Sequence, residues 1–359
     1  SFNAPLAGIL FAMEELQSVS TRLSQKSMYL VLVSAVVSTA ISRLLGGSSI
    51  LVVPSWSQEI MHSIGGGSLH RIFGYNMWLL IAVPIGIICS FAGYVISKAN
   101  SHAHAFVKRY SNVVPLSARL AGAALVTGGC GLIGFWSTGL HGVWGIGGES
   151  LQQVFDGEQD FECGQYLTFA IVKCVAMIAS VAVRAPGDIF EPVLIVGGFL
   201  GGAVGSVLPH KDVVASSDTM TPCIIFGMVG LFTSCFRYPL TPIVIVLEIT
   251  GFDTYAVILP SALCAFTAVT ISSYLYPPLL IEILHQDGID LDALATLAEE
   301  AYQAEERAYE EEQADKVDEA SEQDGSDHPD SPSEYRRNQS KDSSMSAFGL
   351  MISGLEDSF

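Results

Sequence analysis

The 359-residue chain is half hydrophobic, with a mean hydropathy of +0.44 and a formal charge of −19. Soluble domains rarely read so apolar, and −16 of that charge falls on residues 286–359, where 21 acids face 5 Lys/Arg. The remainder is near neutral and offers no basic patch for nucleic acid. The seven Cys, at 89, 130, 163, 174, 223, 235 and 264, show no CxxC or other ligand spacing, which argues against a disulfide framework or a metal site.

In chain order, the first segment is "SFNAPLAGILFAMEEL" (1–16), apolar from Ala4 to Met13 and closed by Glu14 and Glu15. It has no basic n-region and no cleavage site, so it is not a signal peptide. Apolar runs follow over about 28–45, 77–98, 115–136, 165–183, 190–208, 222–236, 239–250 and 254–276. Several reach the roughly 20 residues that cross a bilayer as a helix. The shorter ones must be buried in protein, because a bilayer offers their backbone ends no partner. The pattern predicts an all-α polytopic membrane protein with short, broken helices.

Between these runs, "GLHGVWGIGGES" (139–150) reads as a glycine-rich connection, with Trp136 and Trp144 as interfacial anchors. Lys173, inside "FAIVKCVAMIASVAV", predicts a structural pairing with an acid. In "RAPGDIFEPVLIVGGFLGGAVG" (184–205) a break at 185–188 precedes an apolar helix. Its Gly197, Gly201 and Gly205 fall on one face and predict close helix packing. No strand–turn–helix pattern surrounds these glycines, so they are not a dinucleotide fingerprint. From residue 286 the chain turns acidic, helical at first, and then takes the composition of a disordered tail. A partner-docking role for that tail has nothing beyond its charge to support it. The eight His form no cluster, and no Ser/His/Asp or metal constellation points to an enzyme.

Residues 2–16 repeat at 236–250. Phe2 matches Phe236, Pro5 matches Pro239, Leu6 matches Leu240, Ile9 matches Ile243 and Glu14 matches Glu248. Duplicated halves with broken helices at their meeting point characterise many transporters. Helix N-termini, with free N–H groups and partial positive charge, suit an anion there.

"FNAPLAGILFAMEEL", "APGDIFEP", "GGFLGGAVG" and "RYPLTPIVIVLEIT", in this order, resemble the CLC family of chloride channels and chloride/proton exchangers over about residues 1–288. The resemblance implies a CLC-type inverted-repeat fold. It places the C-terminal portion of the transmembrane domain at 1–285 and the acidic tail, on the cytoplasmic side, at 286–359. It also implies a homodimer that moves chloride, and protons in exchangers, with no cofactor. The family's "GSGIP" anion loop and "GREGP" gating glutamate do not occur in the sequence and are expected before Ser1.

By position, the resemblance makes Glu15 the proton relay, with Glu14 beside it disfavouring double ionisation. It makes the backbone N–H groups of Ile189 and Phe190 the second-half anion site. Three departures accompany it. Val183 and Arg184 replace a small Ser-Gly pair. Asp188 replaces a Gly, and Glu191 adds a second acid, so Arg184 and Asp188 are expected to neutralise each other if their turn is helical. Leu280 stands where the family has an anion-binding Tyr, with Tyr276 the nearest phenol. The expected activity is chloride/proton antiport; the alternatives are a passive, voltage-gated-type chloride channel and a non-conducting membrane scaffold.

Overall fold

The computed structural model describes residues 4–19, 25–44, 77–111, 113–145, 147–155, 161–208, 216–250 and 255–288, with a few positions between 296 and 308. The chain divides into two units, Ser1–Ile289 and Asp290–Phe359. Almost all of the predicted acidic tail lies outside the described residues, as do residues 46–76.

The first unit is all-helical among the described residues. Its elements are α1 (Pro5–Val19), α2 (Gln25–Leu44), α3 (Met77–Tyr110), α4 (Leu116–Thr138), α5 (Gly148–Phe155), α6 (Cys163–Ala182), α7 (Phe190–Val207), α8 (Ser216–Phe236), α9 (Leu240–Thr250), α10 (Tyr255–Leu275) and α11 (Leu279–Asp287). Five stretches among the described residues are long and apolar enough to cross a membrane: Trp78–Tyr110, Leu116–Thr138, Cys163–Ala182, Phe190–Val207 and Ile258–Gln286. This is a multi-pass membrane architecture.

Each apolar run became a helix, with two differences. The 77–98 run continues to Tyr110, because no Gly or Pro interrupts its polar continuation before Pro115. The expected connection at 139–150 ends inside α5, a short helix that buries Leu151, Val154 and Phe155. Its i, i+3, i+4 spacing is a helix signal too brief to stand out beside the glycines.

The core is centred on α7 and α8, which pack most extensively against each other. Phe199, Phe226, Phe232, Phe236, Leu194 and Ile195 are all fully buried there. The predicted glycine face makes this contact. A Cβ on Gly201 would come within 2.0 Å of the Cys223 carbonyl oxygen, and one on Gly197 within 2.4 Å of the Gly227 carbonyl oxygen. Gly227 meets the Gly197 carbonyl in return, at 2.1 Å. These are backbone-to-backbone contacts that no side chain can yield to.

The repeat is visible as a pair of antiparallel helices, α1 and α9. Glu248, near the end of α9, accepts hydrogen bonds from the N–H groups of Leu6 (3.0 Å) and Ala7 (2.8 Å) at the start of α1. Glu14, near the end of α1, accepts from the N–H groups of Leu240 (3.0 Å) and Thr241 (2.9 Å) at the start of α9, and from the Thr241 hydroxyl. The equivalent residues of the two copies thus cap each other's helix.

Two stability predictions follow from these contacts. Gly201→Ala should cost at least the 1–3 kcal/mol usual for overpacking, whereas Gly129→Ala on α4, with nothing within 4 Å, should be tolerated; thermal unfolding in detergent compares them. Glu14→Ala and Glu248→Ala should each cost about 1–2 kcal/mol, the loss of a cap. The double variant should lose more than both together, because one cap still holds the helix pair in either single variant.

Candidate functional site

The site is built where α6 ends and α7 begins. The backbone leaves α6 through Arg184, whose φ of 57° is left-handed. Such a conformation costs an L-residue about 1–2 kcal/mol, which gives a physical reason for a Gly at this position. Because Arg184 is left-handed, the segment from it to Asp188 is not a helical turn. The helical turn on which the expected Arg184–Asp188 pairing depends is therefore absent. Asp188 instead turns its Oδ1 to the N–H of Phe190, at 2.9 Å.

That bond changes the reading of the predicted anion pair. The Phe190 N–H donates to a protein carboxylate, while the Ile189 N–H has no acceptor among the described residues. The Phe190 ring packs against Phe11 of α1, with centroids 4.7 Å apart, and against Phe236 (4.7 Å) and Phe232 (6.1 Å) of α8. Ile189 lines an open cavity of about 490 Å³ together with Asp188, Arg184, Lys173 of α6 and Ile283 of α11. Two cationic side chains, one carboxylate and a helix start thus share one recess with largely apolar walls.

Lys173 is 3 % exposed. It differs from expectation in its partners: its ammonium donates to the carbonyls of Gly142 (2.8 Å), Val143 (3.5 Å) and Gly145, not to an acid. The glycine-rich connection is folded around this cation. Trp144 adds a bond from its indole N–H to the Gly128 carbonyl. Lys173→Met should leave these carbonyls unpaired and cost about 1–3 kcal/mol. Faster amide exchange confined to 139–147 would check it.

Glu15 sits half-buried near the end of α1, a helix too short to cross a bilayer. Burial pushes its carboxyl above the ordinary carboxylate range, which suits a group that must hold and release a proton. Glu14, expected to act on Glu15, is bound to the start of α9 instead. The Phe11–Phe190 contact brings the helix of Glu15 against the start of α7.

Leu280 is half-buried on α11, but among the residues of that helix it is Ile283 that lines the cavity. Tyr276 does not stand in for the missing phenol. Its hydroxyl donates to the Ser234 carbonyl (2.7 Å) and meets Ser234 Oγ at 2.6 Å. Glu191 is buried in the first turn of α7.

Sequence reasoning missed Arg237. It follows α8 with a φ of 68°, and its guanidinium lies 4.6 Å from the centre of the Tyr276 ring. It also donates to Ser234, Ser272 and the Tyr276 carbonyl, tying α8 to the end of α10 and the residue that follows it. A lone Arg between two apolar runs was the available signal.

Two inverted copies of a capped helix, with a broken helix opening on a cavity, are the architecture of a multi-pass membrane protein built from inverted repeats. The family model "Voltage gated chloride channel" matches residues 1–273, and the chain belongs to that family. It is 30% identical over 275 residues to the H(+)/Cl(-) exchange transporter ClcA of Yersinia pestis bv. Antiqua (strain Angola), covering 77% of this chain and 52% of that protein. It is 29% identical over 280 residues to ClcA of Cronobacter sakazakii, covering 77% and 54%. The chain thus spans about half the length of these relatives. The crystal structure of a slow cyanobacterial Cl−/H+ antiporter shares the fold, with a TM-score of 0.55 at 19% identity, covering 79% of this chain and 61% of that one.

Proposed function

We propose that this protein moves chloride across a membrane in exchange for protons, as a homodimer without a cofactor. The observation that carries the reading is the start of α7. There an Ile189 N–H without an acceptor among the described residues borders a cavity that Lys173 and Arg184 also line. An N–H at a helix start, in a recess lined by two cations and one carboxylate, Asp188, offers an anion a hydrogen bond and a favourable helix dipole. Glu15, raised toward neutrality by its burial, supplies the proton relay. The exchange activity named for the ClcA relatives supports the pairing of the two ions.

A passive chloride path is the second reading, and one observation favours it. Leu280 has no hydroxyl, and Tyr276 commits its own to Ser234, so the inner end of the path lacks the phenol that would close it around an anion.

Reconstitution of the full-length protein in liposomes decides between them. An outward chloride gradient should drive protons inward. Glu15→Gln should keep chloride flux within about tenfold of the wild type and reduce proton movement to background. Chloride flux without protons in the wild type would establish the passive path, and no flux at all would leave a membrane scaffold.

A further inference from the structure

Glu191 has no role in the reading so far, yet its placement is the least comfortable in the molecule. It is 4 % exposed, and its Oε1 is sealed from solvent with no hydrogen-bond partner among the described residues. Buried polar groups are nearly always satisfied, and an exception needs a cause. A bare carboxylate is the costliest exception, since a buried charge demands a partner or a proton.

The surroundings do not supply a bonded partner. Asp188, three residues back, adds a like charge, and Lys173 on α6 is one cation whose field reaches Glu191. The Lys173 ammonium is bonded to carbonyls of the 139–147 segment. Arg184 in the loop is exposed, as is Glu149 on α5. On α1, Glu14 is bound to the start of α9 and Glu15 is half-buried. α8 meets this turn with the rings of Phe232 and Phe236. On α3 the nearest ionisable group coupled to this loop is His104, which feels Arg184.

An anion arriving at the Ile189 N–H would add a third negative charge to a turn that already carries Asp188 and Glu191. One proton on Glu191 removes the conflict and leaves the helix dipole and the two cations to hold the anion. We propose that Glu191 binds a proton when an anion binds at the start of α7, so that the charge on this carboxyl sets whether that site holds an anion. The binding step is balanced: as chloride binds at the Ile189 N–H, one proton from solvent forms an O–H bond on the Glu191 carboxylate, and the reverse step returns the proton to solvent as chloride is released. By linkage, chloride must raise proton affinity by the factor by which protons raise chloride affinity. This inference rests on the anion-transport reading above.

The test is proton uptake on chloride addition, followed with a pH-indicator dye on purified full-length protein in weakly buffered detergent solution, with gluconate as the reference anion. The wild type should take up as much as one proton per chloride bound, and its chloride affinity should strengthen by up to about tenfold per pH unit on acidification. Glu191→Gln should bind chloride with little pH dependence and without that uptake, whereas the exposed Glu149→Gln should behave as wild type. If Glu191→Gln does not fold, the wild type and Glu15→Gln decide together: a protonated-carboxyl band must appear in the chloride-minus-gluconate infrared difference spectra of both. Equal uptake by wild type and Glu191→Gln, or no uptake and no such band in the wild type, overturns the proposal. Chloride flux in liposomes alongside either result would leave the transport reading intact; absence of both binding and flux would remove it as well.

Discussion

A helix that begins within a membrane-embedded protein presents N–H groups that no lipid can satisfy, and this constraint organises the first unit. The starts of α1 and α9 are completed by Glu248 and Glu14, carboxylates 226 to 242 residues away in sequence. The start of α7 is completed from two residues away, by Asp188, and only in part. Where the first two starts are closed by protein, the third keeps the Ile189 N–H over a recess lined by Lys173 and Arg184. The contrast separates helix starts closed by carboxylates distant in sequence from a start that borders a cavity.

Positive charge serves the same constraint from the other side. Lys173 gathers the carbonyls of the 139–147 segment, and Arg237 gathers those at the ends of α8 and α10. Both act where water would act in a soluble protein, holding irregular backbone at membrane depth. Aromatic contacts complete the linkage: Phe11, Phe190, Phe236 and Tyr238 form a chain of ring contacts from α1 through α7 to α8 and the start of α9. Phe11 thereby links the helix that carries Glu15 to the first residue of the helix that borders the recess.

Much of this was legible in the sequence. Hydropathy marked the helices because lipid and core select the same residues, and the Gly197–Gly201–Gly205 spacing marked the α7–α8 contact because only one face of a helix can approach so closely. The repeat was legible as five identities, but its purpose was not. That Glu14 and Glu248 bind amides of the opposite copy depends on a pairing that no local pattern encodes. For the same reason Glu14 read as a neighbour of Glu15 when it is a cap of α9. Lys173 suggested an acid, since charge seeks charge, whereas the fold supplied carbonyls from an adjoining loop. Arg184 and Asp188 followed helical spacing on paper, but the left-handed backbone at Arg184 broke it. The burial of Glu191 could not be read at all, because it is set by α7 packing against its neighbours and not by any residue beside it.

The mutual capping of α1 and α9 also limits how the molecule can move. A slide of one helix past the other by a single residue, about 1.5 Å, would pull both carboxylates off their amides at once. The penalty falls at both ends together, so the pair resists shear and travels as a rigid strut. Whatever rearrangement admits or releases ions must be carried by side chains and by the elements hinged around that strut.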